Sequence, residues 1–416
     1  MHDRVAGVDV MADDASMTTR RQLLLGTAAI SSGLALPPPR VAGSQARPAA
    51  LSAPGSSGIN HIVVVCMENR SFDHMLGWLP GADGRQAGLS YLDSSGVPHP
   101  TYHLSTFQGC GHPDPDHSYQ GGRVEYNGGA CDGWLRVNDD FAIGYYQQSD
   151  LPFLGRAAPL WTVCDNYFAA TMAETIPNRL YLHAAQTDRI DGSTTTTALP
   201  TIWDLLAAAG VPARYYFNDV PVLALWGSRY AAISSPFARF LSDAALGTLP
   251  SVAYVDPPFL GEQGDGTSFD DHPHGDIRNG DAFLNTVYRA VTTSPNWNRT
   301  VLVITFDEWG GFFDHVPPPS APDTNPALTG LRGFRVPCLV VSPLAYRSTV
   351  SHGVYDHTSI LKMIEWRYGL PSLTPRDAAA NNLADVLNLG APPQPSAPQW
   401  TVNPVPAVPC AAAGTG

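Results

Sequence analysis

The chain is predicted to fold as a layered α/β/α domain with a mostly parallel central sheet, and three observations predict it. Two short apolar runs, HIVVVCM at 61–67 and TVLVITF at 300–306, are β-branched and uninterrupted. Such runs read as strands buried on both faces of a parallel sheet. Strand-like and helix-like segments then alternate along the chain. Finally, each apolar run ends in a pair of hard oxygen ligands, Glu68-Asn69 and Asp307-Glu308. Ligands of parallel sheets bind at the carboxyl ends of strands, so these four side chains can meet at one point. Three carboxylates that close repel one another unless a cation sits between them.

Residues 1–50 read as an export signal and linker. Arg20-Arg21 precede a short, mild apolar stretch and the small-residue region Val41-Ala42-Gly43 or Ser44-Gln45-Ala46. This is the pattern of a twin-arginine signal, too short for a stable membrane span. The alternative is an ordinary secretory signal or a disordered leader. A catalytic domain is expected over 57–390. After the first strand, the segment from about Gly81 to Ser149 is rich in Gly, Asp, His and Tyr and reads as long loops over the active-site edge. Further strands are expected at 161–164, 213–217, 251–255, 301–306 and 338–341, with helices at 202–209, 280–292 and 358–368. Residues 391–416 are Pro/Ala-rich and read as an extended tail.

With 44% hydrophobic and 15% charged residues among 416, the chain is globular. A formal net charge of -13 argues against nucleic acid as a partner. It does not exclude phosphate substrates, because a bound cation reverses the local field. Lys362 is the sole lysine, a feature attributed to genomic base composition. Six cysteines fit an exported protein. Cys110 and Cys131 flank a Gly/Asp-rich loop and are the expected disulfide. Cys66 and Cys164 are expected as buried thiols or as a pair.

Between the two ligand-bearing runs lies Glu174-Thr175-Ile176-Pro177-Asn178-Arg179-Leu180-Tyr181. Pro177 suits the first turn of a helix. Thr175 then sits just before a helix N-terminus, where N–H groups and the dipole favour an anion. A threonine alkoxide beside a cation could attack phosphorus there. The plain alternative is that Thr175 is an N-cap.

Three motifs now align: Glu68-Asn69-Arg70-Ser71-Phe72-Asp73-His74, Thr175-x-Pro177-Asn178-Arg179, and Asp307-Glu308-x-Gly310-Gly311-Phe312-Phe313-Asp314-His315-Val316-Pro317. Together they resemble the bacterial phosphoesterase family of phosphatidylcholine-type phospholipases C and AcpA-like acid phosphatases, over roughly Asn60 to Leu387. The resemblance implies an alkaline-phosphatase-like fold. It implies one divalent metal held by Glu68, Asn69, Asp307 and Glu308, with Thr175 as nucleophile and further ligand. It also implies that His272, in His272-Pro273, and His117, in Pro115-Asp116-His117-Ser118, serve the phosphoryl group. Asn178, one turn beyond Thr175, is a candidate phosphate donor or else a capping amide. Two departures from the family pattern stand out. Trp309 occupies a position where many of the phospholipases carry His, and the chain ends soon after the catalytic region.

Weaker candidates are His274, a cation cluster of His112, Asp114, Asp116 and His117, and His315 and His357, each of which could instead brace a loop or cap a helix. Asp73-His74 is expected to knit a loop. Aromatic residues Tyr119, Tyr126, Trp134, Phe141, Tyr145 and Tyr146 could cage a choline head group or simply pack. All-oxygen ligands favour Ca²⁺, Mg²⁺ or Mn²⁺, with Zn²⁺ or Fe not excluded.

The expected function is an exported, metal-dependent phosphoric-ester hydrolase, most readily a phospholipase-C-like phosphodiesterase. The alternatives are an acid-phosphatase-like monoesterase and a non-catalytic secreted protein stabilised by metal. Expected partners are a phosphoester, a phospholipid head group included, transient contact with a membrane surface, and the twin-arginine export machinery.

Overall fold

The computed structural model describes residues 51, 53–262 and 265–410; the signal expected within residues 1–50 lies outside them. Eight strands form the central sheet: β1 (His61–Met67), β2 (Thr162–Cys164), β3 (Ala213–Phe217), β4 (Ser234–Pro236), β5 (Val252–Val255), β6 (Thr300–Phe306), β7 (Cys338–Val341) and β8 (Thr349–Ser351). Their order is β8-β2-β7-β6-β1-β5-β3-β4, and β7 alone runs against the rest. The two runs singled out by sequence are therefore neighbours. β1 and β6 pair in parallel through the centre, from His61 opposite Thr300 to Met67 opposite Phe306. Both are buried almost along their whole length, which is why neither alternates polar and apolar residues.

Five helices cover this sheet: Thr175–Ala184, Ile202–Ala208, Phe237–Leu246, Ile277–Thr292 and His357–Tyr368. Successive residues of β3 show the two layers, because neighbouring strand side chains point to opposite faces. Tyr215 meets His183 and Trp203 of the first two helices, whereas Tyr216 meets Phe240 of the third. Among the described residues no helix is long and apolar enough to cross a membrane.

The loop region over the sheet edge has its own apolar cluster, built by Tyr91, Trp134, Ile143, Tyr145, Trp309, Phe313 and Phe334. Trp134, Phe141 and Tyr146 are fully buried, and Tyr119 lies under the Arg123 guanidinium. These four aromatics are taken up by packing.

The disulfide differs from the expected one. Cys110 is bonded to Cys410, with Cα atoms 5.2 Å apart, and Cys131 is a buried free thiol. The tail explains the difference. Residues 391–410 carry no helix or strand, yet they are fastened to the body. Trp400 stacks on Tyr288 at 5.3 Å, and Val405 N–H donates to Asn279 Oδ1 at 2.8 Å. Cys410 N–H then donates to the Asp265 carbonyl at 2.7 Å, beside the Cys110 loop. Cys66 and Cys164 are buried and unbonded. They sit on β1 and β2, three strand positions apart in the sheet, or about 14 Å at ~4.8 Å per strand. That exceeds the reach of a disulfide.

Candidate active site

The parallel pairing of β1 and β6 brings both candidate ligand pairs out at the same edge. Asp307 N–H donates to the Met67 carbonyl at 3.0 Å, extending the ladder by one step. Asp307 Oδ1 then accepts from the N–H groups of Asn69 at 3.0 Å and Glu308 at 2.7 Å, so one oxygen fixes both turns. Asn69 has φ +54° and Gly310 φ +64°. A Cβ on Gly310 would lie 2.0 Å from the Asn69 carbonyl oxygen, so only glycine permits the two turns to touch.

Thr175 is the first residue of its helix rather than the residue before it, and Glu174 stands at the N-cap. The Thr175 hydroxyl is not spent on capping. It donates toward Glu68 Oε2 at 3.2 Å and Asn69 Oδ1 at 3.4 Å. The nucleophile candidate and the first ligand pair are thus in contact.

Arg179, four residues on and so on the same helix face, is fully buried among the acids. It pairs with Glu68, with Asp307 Oδ2 at 3.4 Å and with Asp256 Oδ1 at 3.7 Å. Its guanidinium also donates to the Cys66 and Met67 carbonyls at 3.1 and 3.2 Å. Sequence reading missed both Arg179 and Asp256, although signals existed. Arg179 closes the Thr-x-Pro-Asn-Arg string, and Asp256 follows β5 just as Glu68 follows β1.

His117 faces the ligands from the loop side. Its Nδ1 is 2.7 Å from the Pro115 carbonyl, its Nε2 3.2 Å from Asn69 Nδ2 and 3.9 Å from Glu308 Oε1. Burial pulls its pKa down, but the Glu308 and Asp114 carboxylates outweigh that and hold it at about 9. His272 lies across from it, with ring centroids 6.4 Å apart and its Nε2 3.5 Å from Asp114 Oδ2. Burial, reinforced by His117 and Arg70, drives His272 well below the ordinary histidine range, so it is the neutral partner of the two.

Asn178 is not available to a phosphate. Its Oδ1 accepts from Thr171 N–H at 3.0 Å, and its Nδ2 faces the carbonyls of Thr171, Ala173 and Glu174 at 2.7–3.2 Å. The fully buried amide braces the turn that presents Thr175. His357 is a buried bridge: its Nε2 meets the Asp307 carbonyl at 2.6 Å and its Nδ1 the Tyr167 hydroxyl at 3.1 Å. His315 belongs to a network with Asp73, Asp314 and Arg335. His74 donates to the Gly144 carbonyl, knitting its loop. The looser cation cluster is dispersed, because His112 pairs with Asp139 and Asp116 caps the Ser118 turn. His274 Nε2 meets the His112 carbonyl at 3.0 Å, and its ring lies 6.3 Å from that of His272.

The charge balance fits a bound cation. Glu68, Asp256, Asp307 and Glu308 are buried around Arg179 and His117. Burial first, and then Asp307, pushes Glu68 well above the ordinary carboxylate range; burial does the same to Glu308, against the pull of His117. Asp307 Oδ2 and Glu308 Oε1 are buried without a hydrogen-bond partner. Such orphaned oxygens are rare in folded proteins. With Asn69 Oδ1 and Thr175 Oγ1 they form a hard, all-oxygen donor set suited to Ca²⁺, Mg²⁺ or Mn²⁺.

A cleft of about 460 Å³ opens beside this cluster, with Glu68, Thr175 and Arg179 in its wall. Another groove, of about 610 Å³, is lined by Gly55, Asn298, Arg299, Leu344 and Pro395. It lies at the amino ends of the parallel strands, away from every ligand pair.

The phosphoesterase family model matches residues 59–371. Phospholipase C B of Mycobacterium tuberculosis is 33% identical over 425 positions, covering 82% of this chain and 80% of that protein. Non-specific phospholipase C6 of Arabidopsis thaliana is 30% identical, covering 82% and 74%. Among solved structures, the phosphonate monoester hydrolase of Agrobacterium radiobacter aligns with a TM-score of 0.40 at 11% identity, covering 80% and 78%. The chain belongs to the phosphoesterase family and is a phosphoric ester hydrolase.

Proposed function

We propose that this protein is a metal-dependent phosphodiesterase of the phospholipase C kind, with Thr175 as its nucleophile. The carrying observation is the Thr175 hydroxyl, free of capping duty and 3.2 Å from Glu68 Oε2 at the start of a helix. A divalent cation held by Glu68, Asn69, Asp307, Glu308 and Thr175 would supply charge stabilisation and favour ionisation of the hydroxyl.

Thr175 Oγ1 attacks phosphorus, forming a Thr–O–P bond as the bond to the alcohol breaks. The helix N-terminus favours the phosphoryl charge. Arg179 holds Glu68 and Asp307 in place. His117 balances charge at the cluster and, as the protonated histidine, is the group available to protonate the departing oxygen; neutral His272 can assist by a hydrogen bond. Water then cleaves the phosphothreonine and releases a phosphomonoester. The phospholipase C relatives in Mycobacterium tuberculosis and Arabidopsis thaliana support a diester; an acid-phosphatase-like monoesterase is the rival.

The experiment compares p-nitrophenylphosphorylcholine with p-nitrophenyl phosphate, with and without EDTA, for wild type and Thr175→Ala. The expected result is faster turnover of the choline diester, abolished by EDTA and reduced at least ~10³-fold in the variant. Undiminished turnover by Thr175→Ala would remove the nucleophile assignment. Preference for the monoester would replace the phospholipase reading with a phosphatase. Arg20-Arg21 supports export through the twin-arginine route; replacing both by lysine should retain the protein in the cell, and unaltered secretion would refute that route.

A further inference from the structure

We infer that Arg70 is a positioning residue for His272: its guanidinium grips the backbone of the His272 loop and holds that ring in register with the Glu68-Asn69 turn. The inference rests on the phosphodiesterase reading, in which His272 hydrogen-bonds the reacting ester, and adds to it what keeps the ring in place.

Among the described residues, Arg70, Arg179, Arg335 and Arg376 are fully buried. The last three are paired with carboxylates. Arg70 is spent on backbone instead. Its Nε donates to the Asp271 carbonyl at 2.6 Å, and its Nη2 to the His272 and Pro273 carbonyls at 3.2 and 3.4 Å. Its Nη1 donates to His74 Nε2 at 3.0 Å, and the Phe312 ring lies 4.8 Å beneath the guanidinium. A buried cation answered by carbonyls and an imidazole is costly, and burial pulls its pKa down. The planar fork spans three successive carbonyls, which no shorter or single-pronged donor does.

The loop needs that grip. Asp271 has φ +75°, a conformation that costs a non-glycine residue energy. A Cβ on Gly280 would lie 2.0 Å from Asp271 Oδ1, so the Ile277–Thr292 helix meets this bend at a glycine. The His272 ring has little support of its own. Its Nδ1 is buried without a hydrogen-bond partner, and its Nε2 is 3.5 Å from Asp114 Oδ2. Its aim is therefore set by its backbone. Glu68 N–H donates to the Asp270 carbonyl at 2.7 Å, and Arg70 takes the next three carbonyls. The turn that presents two candidate metal ligands thus also fixes where His272 stands.

The test is a double-mutant cycle on the full chain, read as kcat/KM for dihexanoylphosphatidylcholine and for p-nitrophenylphosphorylcholine. The first releases an ordinary alcohol, which needs a hydrogen-bond donor as it departs. The second releases p-nitrophenol, which needs far less help. Lysine keeps the charge but cannot span three carbonyls. Arg70→Lys should lower kcat/KM at least ~10-fold on the lipid and less than about twofold on the nitrophenyl ester. His272→Ala should show the same split, and in its background Arg70→Lys should cost less than about twofold more. The concentration of Ca²⁺, Mg²⁺ or Mn²⁺ that half-activates EDTA-stripped protein should not change in Arg70→Lys. A rise of about tenfold is what a loosened metal ligand gives and would overturn the assignment to His272. Equal losses on both esters, or losses that multiply in the double variant, would overturn Arg70 alone. Undiminished lipid turnover by His272→Ala would overturn the role of His272 and the inference with it. If wild type prefers monoesters, glycerol phosphate and p-nitrophenyl phosphate carry the same cycle, and a split there upholds Arg70 while the phosphodiesterase reading falls. Should Arg70→Lys fail to fold, Phe312→Leu removes the ring beneath the guanidinium; it should give the same split at smaller size, and no split would overturn the inference.

Discussion

Adding a divalent cation to EDTA-stripped protein should raise its stability and release protons. The buried cluster holds four carboxylates against Arg179 and His117, and Glu68 and Glu308 are both held above the usual carboxylate range. A cation binding there competes with those protons, so binding drives them into the buffer. At a concentration 100 times its dissociation constant, a ligand specific to the native state stabilises it by about 2.7 kcal/mol. An unfolding entropy of about 2.1 cal/mol/K per residue, over roughly 360 described residues, converts that into a Tm increase of about 3–4 °C. Calorimetry near neutral pH, in two buffers of different ionisation enthalpy, measures the protons; a thermal melt measures the shift. Asp307→Asn removes the oxygen orphaned inside the cluster and should weaken the response at least tenfold in cation concentration. The apo variant should melt no lower through repulsion, having one charge fewer. An identical Tm rise in wild type and Asp307→Asn, or binding without proton release, would refute a cation at this cluster.

Two further perturbations probe what holds the site. Burial raises the Asp356 carboxyl, but Arg376 and Arg332 outweigh burial and hold it well below the ordinary carboxylate range. A depressed folded pKa means stability that is present above the unfolded pKa near 3.9 and lost as pH falls toward the folded value. Asp356→Asn should therefore cost on the order of 3 kcal/mol at pH 7 in urea titrations, with the gap to wild type closing below about pH 4; a pH-independent gap would remove the ionic explanation. Gly310→Ala should lower the urea midpoint by about 1–3 kcal/mol in free energy, because its Cβ would meet the Asn69 carbonyl oxygen at 2.0 Å and its φ is +64°. Unchanged stability in that variant would mean the contact between the two ligand turns is slack.

Much of the site was legible because strand burial and strand ends are local signals. CLVV at 338–341 and ARYYF at 213–217 fold as strands over the expected residues. Glu68-Asn69 and Asp307-Glu308 leave their strands at the same edge. What sequence could not reveal depends on distant register. A four-residue apolar run does not say which way it points, and β7 proved antiparallel to β6. Cys410 reaches Cys110 across 300 residues only because the tail is pinned along the Ile277–Thr292 helix. Asn178 looked like a phosphate ligand because Asn is a good donor, but four neighbouring backbone groups had first claim on its amide.

Trp309 shows how a departure at the edge of the candidate metal cluster can be absorbed. A histidine there would add a further ring nitrogen beside Glu308. Trp309 instead turns away, fully buried, and its Nε1 donates to Glu125 Oε2 at 2.7 Å. Glu125 Oε1 accepts from Asn138 Nδ2 at 2.8 Å, and Asn138 Oδ1 accepts from Asp116 N–H at 2.6 Å. A Cβ on Gly122 would lie 2.7 Å from the indole, so the Tyr119–Tyr126 helix can cross Trp309 only at a glycine. The chain of contacts thus runs from the residue after Glu308 to the residue before His117. Burial pushes Glu125 up to about 8 despite both donors, so this link carries little charge near neutral pH and adds little to a cluster already rich in carboxylates. Shape and hydrogen bonding, rather than another ligand, hold Glu308 and His117 in register with each other.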